Sequence, residues 1–279
     1  LKESLLNFFS NYEIFKIFKS NRRFLLLAIE EKIVTIDFDV FLCMLNSKFE
    51  YYYIQYFSPE LATFNDPSMN INLILDFYSE LPKDFYEKRR IGENDDFVSK
   101  IIREDSIDEF ISFVKKEDYS LESKIINSVY ETNSYLSKVI QISLIEYAAY
   151  FGSTQIFKYL YQNGVKLDEQ LWLYAIHGDD PEIIHILEEE KPIKLQEIHI
   201  KECIKCHHNH ILNYMMTNYS DKENDYENID CKQNYRRNIV RHCFHYYNFC
   251  FLPDKINNQA AFLYACQYDH FSIARYMLN

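Results

Sequence analysis

Apolar side chains recur along the chain at helical spacing, in short runs split by polar turns. Tyr147-Ala148-Ala149-Tyr150-Phe151 precedes the polar Gly152-Ser153-Thr154, and Ile156, Phe157 and Leu160 follow. Such a pattern predicts two short amphipathic helices joined by a tight turn. The template returns at Tyr174-Ala175-Ile176-His177-Gly178 through Ile183 to Leu187, at Cys203-Ile204 through Ile211 to Met215, and at Tyr264-Ala265-Cys266 through Ile273 to Met277. A weaker copy runs through Ile101-Ile102, Asp105-Ser106 and Phe110 to Val114. Between the first apolar anchors of the second helices the spacings are 156 − 110 = 46, 183 − 156 = 27, 211 − 183 = 28 and 273 − 211 = 62. The last interval holds two units of about 31 residues, the hidden copy centring near His242, with its second helix broken at Pro253. The first interval contains a long connection, residues 115–141, with a short helix expected over 121–130.

Helix starts carry their own signals. Ser106 with Glu109 and Ser143 with Glu146 have the spacing of capping boxes, in which hydroxyl and carboxylate satisfy orphan amides of the first turn. Asp180-Pro181 places a side-chain acceptor before a proline whose fixed φ suits the first helical position, and Gly178 ahead of it makes the turn. Gly152 and Gly164 fall where their unit reverses. Residues 1–90 lack the template. Helical spacing of Leu5, Phe8, Tyr12 and Phe15, of Val40, Met44, Tyr52, Tyr53 and Tyr56, and of Ile71, Ile74, Leu75 and Tyr78 predicts helices there, and Ile33-Val34-Thr35-Ile36 a short extended segment. The charged stretch Lys88-Arg89-Arg90-Ile91-Gly92-Glu93-Asn94-Asp95 sets the expected boundary between an N-terminal helical domain, 1–90, and the repeats, 91–279. The expected fold class is all-α, an α-solenoid of about five to six units, one degenerate, capped by the N-terminal helices, because a lone helix pair cannot bury its apolar face.

Composition narrows the chemistry. Only 4 glycines occur in 279 residues, against a usual share of about 7%, and neither G-x-G-x-x-G nor G-x-x-x-x-G-K-[ST] is present. The charge balance, 30 − 42 = −12, argues against a nucleic-acid partner, which requires clustered Lys and Arg. Seven cysteines, an odd count in a long chain, do not suit a stapled secreted domain, so a reducing, cytoplasmic location is expected. The richest apolar run, Phe24-Leu25-Leu26-Leu27-Ala28-Ile29, is too short for a membrane span, and Leu1-Lys2-Glu3 carries no signal-peptide pattern.

Ser143-Leu144-Ile145-Glu146-Tyr147-Ala148-Ala149-Tyr150-Phe151-Gly152 resembles the ankyrin signature T-P-L-H-x-A-A-x-x-G, and Gln155-Ile156-Phe157-Lys158-Tyr159-Leu160 with Asn163-Gly164-Val165-Lys166-Leu167-Asp168 resembles the ankyrin second helix and its following turn. Arg90-Ile91-Gly92-Glu93-Asn94-Asp95 and Leu171-Trp172-Leu173-Tyr174-Ala175-Ile176-His177-Gly178 resemble a divergent, expanded ankyrin family of trichomonad protists. Leu144 and Glu146 replace the consensus Pro and His, and Cys203-Ile204 stand where two alanines are usual. The resemblance implies an ankyrin-repeat-like solenoid whose concave groove binds a protein. Its groove positions carry over to Tyr150, Phe151, His177, Lys205, Cys206, Gln267 and Tyr268. Trp172, aligned with Ile145, is expected in the core.

Other constellations point to other chemistry. Cys203, Cys206, His207 and His210 offer thiolate and imidazole at steps that share a helical face, the donor set of a tetrahedral zinc site, and this makes a metal protein the alternative reading. The repeat alignment instead puts His207-His208 at a turn. Cys206-His207 completes a haem-attachment string, and Cys243 beside His242 and His245, or Cys266 near His270, are candidate nucleophiles. The weightier expectation is buried cysteines, turn histidines, no cofactor and no enzyme activity. The function expected is a non-catalytic scaffold for a protein partner that is basic or carries a basic segment. A third reading is a structural subunit that assembles through the N-terminal helices.

Overall fold

The structure is a computed structural model that describes residues 8–45, 50–64, 72–219, 229–252 and 258–278. Leu5, Ile71 and the expected break at Pro253 lie outside these residues. The described chain is mostly helical, as the apolar spacing predicts. No helix in it is long and apolar enough to cross a membrane.

Two compact units are present: residues 1–100 with 124–142, and residues 101–123 with 143–279. The first contains α1 (Asn11–Phe18), α2 (Arg22–Glu30), α3 (Phe38–Leu45), α4 (Glu50–Tyr56), α5 (Ser58–Leu61), α6 (Asn72–Ser79) and α7 (Phe85–Ile91). Ile14, Phe15, Leu25, Phe41, Phe57 and Phe85 belong to its core. Two buried arginines tie the helices to loops and to each other. Arg22 donates to the carbonyls of Val129, at 3.0 Å, and Glu131, and Arg89 forms a two-pronged pair with Glu60 at 2.8 and 2.9 Å and donates to the Tyr56 carbonyl. Such a forked pair satisfies the buried charge geometrically.

Helix α8 (Phe97–Arg103) contains the division between the units and is followed by α9 (Ile107–Lys116). The expected helix over 121–130 is absent. In its place β1 (Lys124–Ile126) pairs with β2 (Gln141–Ser143), because Ile125 and Ile142 turn inward while Ile126 faces out, an alternation of period two. Residues 33–36 form turn and loop rather than strand, with the Asn11 side chain bonded to both the amide and the carbonyl of Thr35 at 2.8 Å.

The second unit continues with α10 (Leu144–Phe151), α11 (Thr154–Gln162), α12 (Leu171–Gly178), α13 (Pro181–Glu190), α14 (Glu197–Cys206), α15 (Asn209–Tyr219), α16 (Ile229–His245), α17 (Asn258–Gln267) and α18 (Phe271–Leu278). The first helices α10, α12, α14, α16 and α17 contact one another in that order, as do the second helices α9, α11 and α13. Within each pair the reversal is made by one left-handed residue: Asp105, Gly152, Asp179, His207, Tyr247 or Asp269, with φ from 48° to 65°. The residue after it, at Ser106, Ser153, His208, Asn248 and His270, sends its amide to the carbonyl five positions back, satisfying an orphan group of the helix end.

The same residue also reaches into the preceding pair. Ser153 Oγ donates to Ile102 O at 2.5 Å and Asn248 Nδ2 to Ile204 O at 3.0 Å, while His270 Nε2 lies 2.6 Å from Phe244 O. Each of these carbonyls stands three residues before the left-handed residue of its pair. The corresponding carbonyl of Ala149 is instead met by Gly178, where a Cβ would lie 2.0 Å from the oxygen. Gly178 is therefore needed for close approach, and the turn expected of it is made by Asp179.

Two of the cap expectations are realised: Ser143 with Glu146 forms a capping box, and Asp180 accepts from the amides of Glu182 and Ile183. Ser106 makes no side-chain cap bond. Trp172 is 1% exposed, with Nε1 donating to Lys191 O at 2.9 Å.

Candidate functional site

The positions one and two residues before each left-handed turn lie at the C-terminal ends of the first helices. The Tyr150 ring stacks on His177 with centroids 4.8 Å apart, and Phe151 leans on both Tyr147 and Tyr150. His177 places Nδ1 3.3 Å from Cys206 Sγ and Nε2 3.1 Å from Glu202 Oε1. Lys205 donates to the same Glu202 oxygen. Farther along, Tyr246 stacks on His242, and His245 meets the rings of Tyr246 and Tyr268 at 4.4 and 4.7 Å. A row of aromatic and polar side chains thus crosses successive helix pairs.

Its centre is a buried charge. Burial pushes the Glu202 carboxyl up, but hydrogen bonds from His177 and Lys205 outweigh that and hold it at about 2, so Glu202 is ionised. A carboxylate facing Nε2 assigns the proton of His177 to that nitrogen, which leaves Nδ1 to accept from the Cys206 thiol. Burial, then the Glu202 charge, pushes the Cys206 thiol up to about 11. Thiol, imidazole and carboxylate stand in the order of a nucleophile–base–acid relay, yet the sulfur is held protonated. The dominant effect of the trio is to join α12 to α14 through hydrogen bonds.

The positions marked in the sequence differ in exposure. Tyr150 is only 9% exposed, against His177. Phe151, His177, Lys205 and Tyr268 are half-buried and Gln267 is exposed. Glu202, the group on which the cluster turns, does not stand out in the sequence. It lies five residues before its left-handed residue, where the pair turning at Asp105 has Lys100 and the other four have Tyr147, Tyr174, His242 and Tyr264, and a carboxylate in place of a ring or a cation is its mark.

The proposed zinc ligands diverge. Cys203 is buried in the core with its thiol pushed up by burial, Cys206 faces His177, His207 ends α14 in the left-handed region with Nε2 3.0 Å from Tyr246 O, and His210 lies 2.9 Å from Asp179. Among the described residues no group of three or more His, Cys, Asp or Glu is arranged to hold a metal ion. Cys243 is buried, its thiol pushed up to about 11 by burial, and His242 bonds Glu197 instead. Cys266 is exposed, and His270 is engaged with Phe244 O. Cys43, Cys203, Cys206, Cys243, Cys250 and Cys266 are all free thiols. Comparison with protein-family models, curated proteins and solved structures finds no match to this chain.

Proposed function

We propose that the chain carries a divergent ankyrin-type solenoid and an N-terminal helical unit, and that it serves in the cytoplasm as a non-catalytic scaffold for a protein partner. The observation that carries this reading is the row itself: equivalent positions of successive helix pairs are linked from Tyr150 and Phe151 through His177 to Lys205, and again between His245 and Tyr268. Half-buried aromatics on a fixed backbone are suitable interface anchors, since their area is presented at small cost in side-chain entropy. The net charge of −12 favours a basic partner segment over a nucleic acid. The free thiols fit a reducing compartment.

Site-directed photocrosslinking tests the reading. A photoreactive phenylalanine analogue at Phe151, Gln267 or Tyr268 is expected to capture a discrete protein from the native extract, with yield falling at high salt, while the same analogue at exposed Phe24 is not. Equal capture at Phe24 and the row positions refutes the groove assignment.

A further inference from the structure

All 9 histidines of the chain lie between residues 177 and 270. Two of them, His199 and His242, are 8% and 5% exposed and act at the start of α14. His199 is the third residue of that helix, and its Nδ1 accepts from the Gln196 amide at 3.2 Å. It thereby fills the place that glutamate or glutamine has in a capping box. An amide can only donate, so Nδ1 carries no proton and the ring is neutral. Two residues earlier, Glu197 accepts from Asn238 Nδ2 at 2.9 Å and Arg241 Nη2 at 3.3 Å, and lies 3.0 Å from His242 Nε2, all three on α16. One helical turn therefore carries both the cap of α14 and three bonds to α16.

We propose that this turn is an acid-sensitive lock, in which a proton taken up by His199 releases the Gln196 amide and, with it, the hold of Glu197 on α16. A proton on Nδ1 would face the Gln196 N–H instead of accepting from it. It would also place a positive charge in the first turn of a helix, where the macrodipole disfavours it. Burial alone pushes the His199 imidazole below its ordinary range, and among the described residues no charged group offsets this. At His242 burial again lowers the ring, the bond to Glu197 opposes it, and Arg241 beside it and Lys201 on α14 add to the lowering. The stability tied to these neutral rings is complete above pH 6.5 and is lost as pH falls below it, since the open form takes up protons that the closed form excludes. Other joints lack this weakness. Between the α8–α9 and α10–α11 pairs the bonds run from Ser153 Oγ to Ile102 O and from the Gln155 and Ile156 amides to Asp105. Between α12 and α14, a proton on His177 is met by the ionised Glu202. The lock belongs to the fold, so it stands or falls independently of the scaffold reading.

Hydrogen exchange of the full chain, compared at about pH 7.5 and about pH 5.5 and corrected for the intrinsic pH dependence of exchange, is the test. Peptides covering 196–206 and 238–245 are expected to exchange about tenfold faster at the lower pH, the factor by which one unit below the ordinary histidine value favours a protonated open form. Peptides covering 144–162 should be unchanged. His199→Gln keeps an acceptor at the cap but cannot titrate, and should remove most of the difference. His185→Gln, at an exposed histidine, should leave it intact. Should His199→Gln fail to fold, the NMR signal of the wild-type His199 ring decides, and it is expected to stay neutral below pH 6.5. The proposal is overturned by an absent change, by an equal change in 144–162, by a His199→Gln variant as pH-sensitive as the wild type, or by a His199 ring that titrates at its ordinary value in the folded protein.

Discussion

Trp172 is the most direct probe of how the helix pairs are held in register. It stands seven residues before Asp179, as Ile145 stands seven before Gly152, and both are buried. Two contributions can be separated there. The ring fills core volume, and Nε1 donates to the carbonyl of Lys191, the residue that caps the C-terminus of α13. Trp172→Phe keeps most of the burial and abandons the bond, for a cost of about 1–2 kcal/mol, the lost bond plus a small cavity. Trp172→Ala removes both and should cost about 3–5 kcal/mol, a large share of the ~5–15 kcal/mol that stabilises a typical domain. Because contacts run mainly between neighbouring pairs, the alanine variant should also broaden or split the unfolding transition. Urea melts followed by circular dichroism measure both effects in the wild type and the variants, and the emission of this sole tryptophan reports its burial in the wild type. Red-shifted, readily quenched emission from the native protein, or an alanine variant as stable as the wild type, would refute the register.

Three further predictions follow from the same geometry. Gly178→Ala would drive a Cβ to 2.0 Å from Ala149 O and should destabilise by about 1–3 kcal/mol or more, as overpacking does; a thermal melt equal to wild type would mean that α10 and α12 are not so close. Asn248→Ala removes the side-chain donor from the buried Ile204 carbonyl, which keeps the His207 amide at 3.2 Å, at a cost of about 0.5–1.5 kcal/mol, measurable by denaturant titration. Glu202→Gln should cost on the order of 2 kcal/mol at neutral pH, since Lys205 and His177 lose a charged acceptor. The folded-state pKa of Glu202 is depressed from the ordinary carboxyl value of 4.5 to about 2, so its stabilisation is complete above pH 4.5 and is lost as pH falls toward 2. The stability gap between wild type and Glu202→Gln should accordingly close over that interval, and a gap that is constant with pH would sink the assignment.

What the sequence discloses and what it hides have physical causes. The apolar anchors Ile156, Ile183 and Ile211 are legible because burial demands a large apolar side chain at each, whatever surrounds it. Residue type marks the turn only at Gly152, and the repeat alignment places another at His207-His208, where His207 is indeed left-handed. Elsewhere aspartate, histidine and tyrosine accept the left-handed conformation at a modest cost, and nothing in their side chains announces it. The bonds between pairs share a function rather than a residue type: serine, asparagine and histidine all offer a polar nitrogen or hydroxyl at the required place. The strand at Lys124–Ile126 is obscured because a short apolar run fits either period until its partner, seventeen residues away, is known.

Glu202 follows from the same logic. Lys205, one turn onward in the same helix, is an obvious neighbour in the sequence, and by itself the pair reads as an ordinary surface ion pair of little worth. His177 changes that, and it is brought there only by the packing of α12 against α14. With the register fixed, Glu202 occupies the level at which Tyr147 and Tyr174 are buried, so its charge lies within the stack and must be satisfied from two helices. A shift of one residue between α12 and α14 would separate Glu202 from His177 and leave a buried carboxylate with one partner. The cluster therefore selects this register over its neighbours as well as lending stability to it, which is the best-attested use of a buried polar group.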